Sequence, residues 1–201
     1  MALLCHYVLH IYLGIKSIIM KFLSLIILAI GISFAANAQQ FKKASLQASG
    51  LTCAMCQKAT FEALASLPFV DKIDTDLDNT SFVLSFKPDV PVSIDAIKNK
   101  VEDAGFSVAK LVMTANFEGL NVKNDEHVSF AGSTLHFMDV KPQTLNGEKQ
   151  LTVIDKDFVS NKQFKKFSTT TTMSCYQTGK MGDCCKPEGA KAANRIYHVT
   201  I

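Results

Sequence analysis

Between Phe41 and Val112 the spacing of apolar residues alternates between two periods in a fixed order. No other feature of the chain constrains its fold as tightly. Phe41 to Ser49 reads as a strand, with Phe41, Ala44, Leu46 and Ala48 as its apolar positions. Cys56, Ala59, Ala63, Leu64 and Leu67 then recur at helical spacing, and Pro68 ends the run. Val70 to Leu77 alternates, Asp78-Asn79 signals a turn, and Ser81 to Phe86 alternates again, with Phe82, Leu84 and Phe86 inward. Ser93 is a natural N-cap for a second helical stripe at Ile94, Ile97, Val101 and Ala104, which Gly105 stops. Phe106 to Val112 completes the set as a strand. Strand, helix, strand, strand, helix, strand is the split β-α-β order of the ferredoxin-like α+β fold, and it predicts a domain over residues 41–113.

Two thiols sit where the first strand hands over to the first helix, in Gly50-Leu51-Thr52-Cys53-Ala54-Met55-Cys56. The positive end of a helix favours a thiolate, and thiolates select Cu(I), Zn(II) and similar soft or borderline ions. A C-x-x-C pair is also the mark of thioredoxin-type redox sites. Those sites usually carry an aromatic residue, often Trp, before the first cysteine, and this chain has no Trp. A plain disulfide between Cys53 and Cys56 is the third reading. Met55 lies between the thiols, but its side chain is expected to point away from them.

The motif and the element order together resemble the heavy-metal-associated domain, the module of copper chaperones and of the N-terminal repeats of metal-transporting ATPases. The family pattern Gly-Met-Thr-Cys-x-x-Cys is matched at residues 50–56 except that Leu51 replaces Met. Glu102-Asp103-Ala104-Gly105-Phe106 looks like the family's second-helix ending, with Phe106 where many copper-binding members have Tyr. The resemblance implies that Cys53 and Cys56 bind one Cu(I), that Leu51 packs under the loop, and that the ion passes by thiol exchange to a partner such as a metal-transporting ATPase. Hg(II), Zn(II) or Cd(II) would use the same pair. No enzymatic activity is implied.

The first 38 residues differ in character. They contain no acid and only Lys16 and Lys21 as basic residues, and an apolar run of about 14 residues from Phe22 to Ala35 leads to Ala36-Asn37-Ala38. Basic start, apolar centre and small-x-small ending read as a secretory signal peptide cut after Ala38, so the protein is expected to be exported, as into a periplasm. The run is shorter than the roughly 20 residues a spanning helix needs. Membrane attachment is expected only if the segment stays uncleaved. Met20-Lys21 looks like a natural start, which would make residues 1–19 an over-extension of the frame. The net charge of +3 carries no clustered basic face, so no nucleic-acid partner is expected.

Beyond residue 113 the pattern changes. Residues 114–120 read as a linker containing Gly119. Strand-like runs follow at Asn121–Val122, His127–Phe130, Thr134–Val140, Gln150–Ile154 and Arg195–Ile201, with Gly132 and Asn146-Gly147 as turns and a short helix at Ser160–Phe167. Residues 121–201 are therefore expected to form a small β-rich domain, of the OB-barrel type, with an irregular loop over 168–194. That loop holds Cys175, Cys184 and Cys185. Export favours a disulfide from Cys175 to Cys184 or Cys185. Five cysteines beyond residue 38 is an odd number, which keeps open a second soft-metal site using Cys175, Cys184 or Cys185 with Met173 or Met181 assisting. His127, His136 and His198 each stand alone in a strand-like run and read as structural or surface residues. His136 and Met138 would share a strand face. No Ser/His/Asp order, phosphate loop or paired-carboxylate motif is present.

The sequence thus reads as an exported soft-metal carrier. A thiol–disulfide oxidoreductase, or its partner, is the alternative of another class, and an interaction module with a degenerate first domain is a third.

Overall fold

The alternating and helical runs fold as the element order predicts. The structure is a computed structural model, described here over residues 40–76, 80–182 and 194–201. Its elements are β1 (Phe41–Ser49), α1 (Ala54–Ala65), β2 (Val70–Asp76), β3 (Ser81–Phe86), α2 (Ile94–Asp103) and β4 (Ser107–Val122). These are followed by β5 (Glu126–Phe130), β6 (Ser133–Phe137), β7 (Gln143–Val153), α3 (Asn161–Phe167), α4 (Cys175–Thr178) and β8 (Ile196–Thr200). Ser93 caps α2 by accepting from the Ala96 N–H at 3.2 Å. Gly105, at φ +88°, ends the helix in a left-handed turn that lets Phe106 N–H reach Val101 O.

The first four strands lie in the order β2-β3-β1-β4, all antiparallel, as the ferredoxin-like arrangement requires. The sheet does not stop there. It continues through β7, β8 and β6 to β5, eight strands among the described residues. β4 joins the two parts. One edge pairs with β1 from Ser107 to Ala115, and the other pairs with β7 from Leu111 to Val122.

Two expectations change in consequence. Residues 114–120, expected as a linker, lie inside β4, where Ala115 and Phe117 are buried. Asn146-Gly147, expected as a turn, is paired in β7 against Glu118 and Phe117. Gly119 is the reason for the difference. It sits at φ +74° where the register slips between Glu118 and Leu120, which is a bulge in a continuing strand. The β-rich region also does not close as an OB-type barrel. Its strands extend the same sheet, with β5 as the far edge, and β6 pairs with β8 in parallel.

The two parts share one core. Leu46, Leu84, Ile97 and Leu111 belong to the same buried cluster as Phe137, Leu145, Leu151 and Val153. The Phe130 ring of β5 packs against Phe41 of β1 at 5.3 Å and Phe117 of β4 at 4.6 Å. A polar tie adds to this. Arg195, just before β8, grips Asp95 in the first turn of α2 with two bonds of 2.9 and 3.1 Å. Gln39–Ile201 is accordingly one compact unit. Among the described residues no helix is long and apolar enough to cross a membrane. The predicted signal segment, residues 1–38, lies outside the described residues.

A shared core predicts shared unfolding. Leu151→Ala in β7, which empties a fully buried position, should cost about 2–5 kcal/mol. Calorimetry should show a single transition at lower temperature. Two transitions, with only one displaced, would mean that the halves are independent.

Candidate metal centre

The loop from β1 to α1 is held from below and open above. Gly50 turns the chain at φ +86°, and the Thr52 N–H closes the turn on Gly50 O at 2.9 Å. Leu51 is buried in the core, so it anchors the loop from beneath. The Phe106 ring stands beside Gly50, where an added Cβ would lie 3.6 Å from Phe106 Cδ1. Cys53 is the N-cap of α1, and its Sγ accepts from the Cys56 N–H at 3.1 Å. That donor and the partial positive charge of the helix start both favour sulfur in its anionic form. Cys53 is exposed and Cys56 half-buried, so a second molecule can approach the pair. Met55 is 73% exposed.

The two sulfurs are joined as a disulfide, with the Cα atoms 5.2 Å apart. In this form neither sulfur is a thiolate, so metal binding first requires reduction by two electrons. The resulting thiols then lose their protons to the medium as they ligate.

Residues 45–107 match the family described as the heavy-metal-associated domain. This segment is a heavy-metal-associated domain. Among solved structures the chain is similar to a CopZ metallochaperone at 27% identity, over 33% of this chain and 98% of that one, with a TM-score of 0.31. It is similar to the yeast copper transporter domain Ccc2a, solved in apo and Cu(I)-loaded states, at 31% identity over 32% and 88%, with a TM-score of 0.30. It is also similar to apo-CopP from Helicobacter pylori at 30% identity over 33% and 98%, with a TM-score of 0.30. The comparison with curated proteins finds no match. The family match covers the segment that carries the Cys53–Cys56 loop.

Outside the heavy-metal-associated domain the structure assembles a group that the sequence did not reveal. His127 on β5 lies directly opposite His136 on β6, and His136 lies opposite His198 on β8. Each stands alone in its own strand, and only the pairing register puts them in one row. Their rings touch, at 4.3 Å between His127 and His136 and 4.9 Å between His136 and His198. Cys175, the first residue of α4, is buried against them. Its Sγ is 3.7 Å from His127 Nε2 and 3.6 Å from His136 Nδ1. Cys184 and Cys185, the other candidates for this region, lie outside the described residues. Met173 and Met181 pack with Cys175 and Ile196. Met138 packs elsewhere, with Ile154, Val159 and Tyr176.

Carboxylates orient two of the rings. Asp125 Oδ1 is 3.2 Å from His136 Nε2, and the buried Asp155 is 2.5 Å from His198 Nδ1 while also accepting from Arg195 at 3.1 Å. Burial, then the neighbouring His198 and His127, push His136 down to about 4 against the opposing pull of Asp125. Burial, with His198, also lowers His127. The unfolded chain would protonate His136 near 6.5, whereas the folded protein holds the proton off to about 4. Between those values the unfolded state binds more protons, so acid destabilises the fold. Metal-free protein should lose roughly 2 kcal/mol from this group between pH 7 and pH 5. Thermal melts should show a flatter pH dependence in His136→Gln. An identical slope in both proteins would contradict this.

Proposed function

We propose that the protein is an exported, non-enzymatic carrier of Cu(I). Reduced Cys53 and Cys56 hold the ion and pass it by thiol exchange to a metal-transporting ATPase or another metal-binding protein. One observation carries this reading. The thiol pair of a heavy-metal-associated domain stands at the exposed start of α1, with Cys53 Sγ already facing a backbone donor. Soft thiolates favour Cu(I), which accepts few ligands, and an exposed pair leaves room for a third thiolate to enter as one leaves. Transfer can then be fast without weak binding. The export half of the proposal rests on the basic start, apolar run and small-x-small ending of residues 1–38.

Hg(II), Zn(II) and Cd(II) are the competing ions at the same pair. The disulfide between Cys53 and Cys56 favours a second reading, in which the pair exchanges disulfides with other proteins.

Anaerobic titration of the reduced protein with Cu(I), against a chromophoric chelator, tests the first reading. One tight equivalent is expected at this site, lost in Cys53→Ser/Cys56→Ser. Failure to compete for Cu(I) while taking up Hg(II) or Zn(II) tightly would reassign the ion. Failure with every ion, together with insulin-reductase activity, would replace the carrier by the redox reading.

A further inference from the structure

We propose that Cys175, His127 and His136 form a second metal site, chemically distinct from the Cys53–Cys56 pair, that takes one thiolate- and imidazole-preferring ion, copper or zinc. This second site does not depend on the carrier function proposed above.

The spacing fits an ion. With metal–sulfur bonds of ~2.3 Å and metal–nitrogen bonds of ~2.05 Å, the sulfur and nitrogen ligands of a tetrahedral or trigonal centre lie about 3.5–3.8 Å apart. Cys175 Sγ is 3.7 and 3.6 Å from the two imidazole nitrogens, and the three atoms lie within 4.8 Å of one another; an ion would hold the two nitrogens at about 3.3–3.6 Å. The two sulfur–nitrogen distances suit a sulfur hydrogen bond in the metal-free protein and are equally natural for sulfur and nitrogen ligands around a shared ion.

The surroundings fit as well. Asp125 occupies the far nitrogen of His136, which fixes the tautomer and leaves Nδ1 with its lone pair toward the sulfur. A carboxylate behind a ligating histidine is the usual support of a metal-bound imidazole. The two histidines are held by paired strands in fixed register, so the donors are positioned before any ion arrives. Burial shields the cluster from competing water: Cys175 and His136 are wholly buried. His198 adds an independent sign. Its Nε2 is buried with no hydrogen-bond partner, and its ring lies against His136. An unpartnered buried imidazole nitrogen beside the cluster marks a place where a further ligand is expected.

A His2Cys set suits copper in trigonal geometry with a weak thioether nearby, and it equally suits zinc when a fourth donor closes the tetrahedron. Met173 and Met181 beside Cys175, and His198 beside His136, offer one of each.

The test uses the protein from residue 39 onward with Cys53→Ser/Cys56→Ser in place, so that the first site is silent. The reduced protein is titrated with Cu(II) and, separately, with Co(II) as a coloured substitute for zinc. One equivalent should bind, with thiolate-to-metal charge-transfer absorption. Cys175→Ser should abolish that band, and His127→Gln and His136→Gln should weaken binding at least ~10-fold. Asp125→Asn, which touches no ion, should weaken it about 10–100-fold while melting normally. Cys184→Ser/Cys185→Ser should leave it unchanged. Competition between Cu and Zn then decides the ion. Three results would overturn the proposal. One is no binding by a protein that melts normally. Another is a band that survives both histidine substitutions but is lost with Cys184 and Cys185. The third is peptide mapping that finds Cys175 in a disulfide with Cys184 or Cys185 in freshly isolated protein.

Discussion

Strand β4 is hydrogen-bonded along both edges, to β1 on one side and β7 on the other, and the rest of the structure depends on that double pairing. In a free-standing split β-α-β unit the last strand is an exposed edge, open to association with other chains. Here β4 runs past the end of that unit for several residues, and β7 covers its open edge. Burial follows the pairing. Ala115, Phe117 and Leu151 enter the same core as Leu46 and Ile97, and the Cys53–Cys56 loop gains a larger scaffold than residues 45–107 alone could supply.

The two candidate sites divide the chemistry in a physically sensible way. The Cys53–Cys56 pair is exposed, lies on a loop and consists only of sulfur, features that suit capture and release. The Cys175–His127–His136 group is buried, lies largely on strands and mixes sulfur with nitrogen, features that suit retention. A buried thiolate–imidazole centre exchanges its ion slowly, because every ligand must move against packed neighbours. An exposed dithiolate exchanges by simple substitution. The redox state matters at the first site. As a disulfide it cannot ligate, so its readiness to bind depends on the thiol balance of its surroundings.

Legibility in the sequence was uneven, for identifiable reasons. The first half was readable because each element is short, amphipathic and bounded by its own cap or turn, as at Ser93 and Gly105. Leu51 was readable as an anchor because the motif around it is local. β4 was not, because Gly119 reads as a break when only one strand is in view. The bulge it makes is intelligible only once β7 lies alongside. The histidine row was invisible for a related reason. His127, His136 and His198 are one per strand, and strand register is a property of the assembled sheet. Cys175 was flagged from cysteine counting alone, which cannot say what lies opposite a thiol.

The most direct test of the account is X-ray absorption at the copper edge of the reduced protein loaded with a single equivalent of Cu(I). The account predicts a first shell of sulfur alone, contributed by Cys53 and Cys56. A shell of mixed sulfur and nitrogen at that loading would contradict it, because the first ion would then have gone to a site containing imidazole.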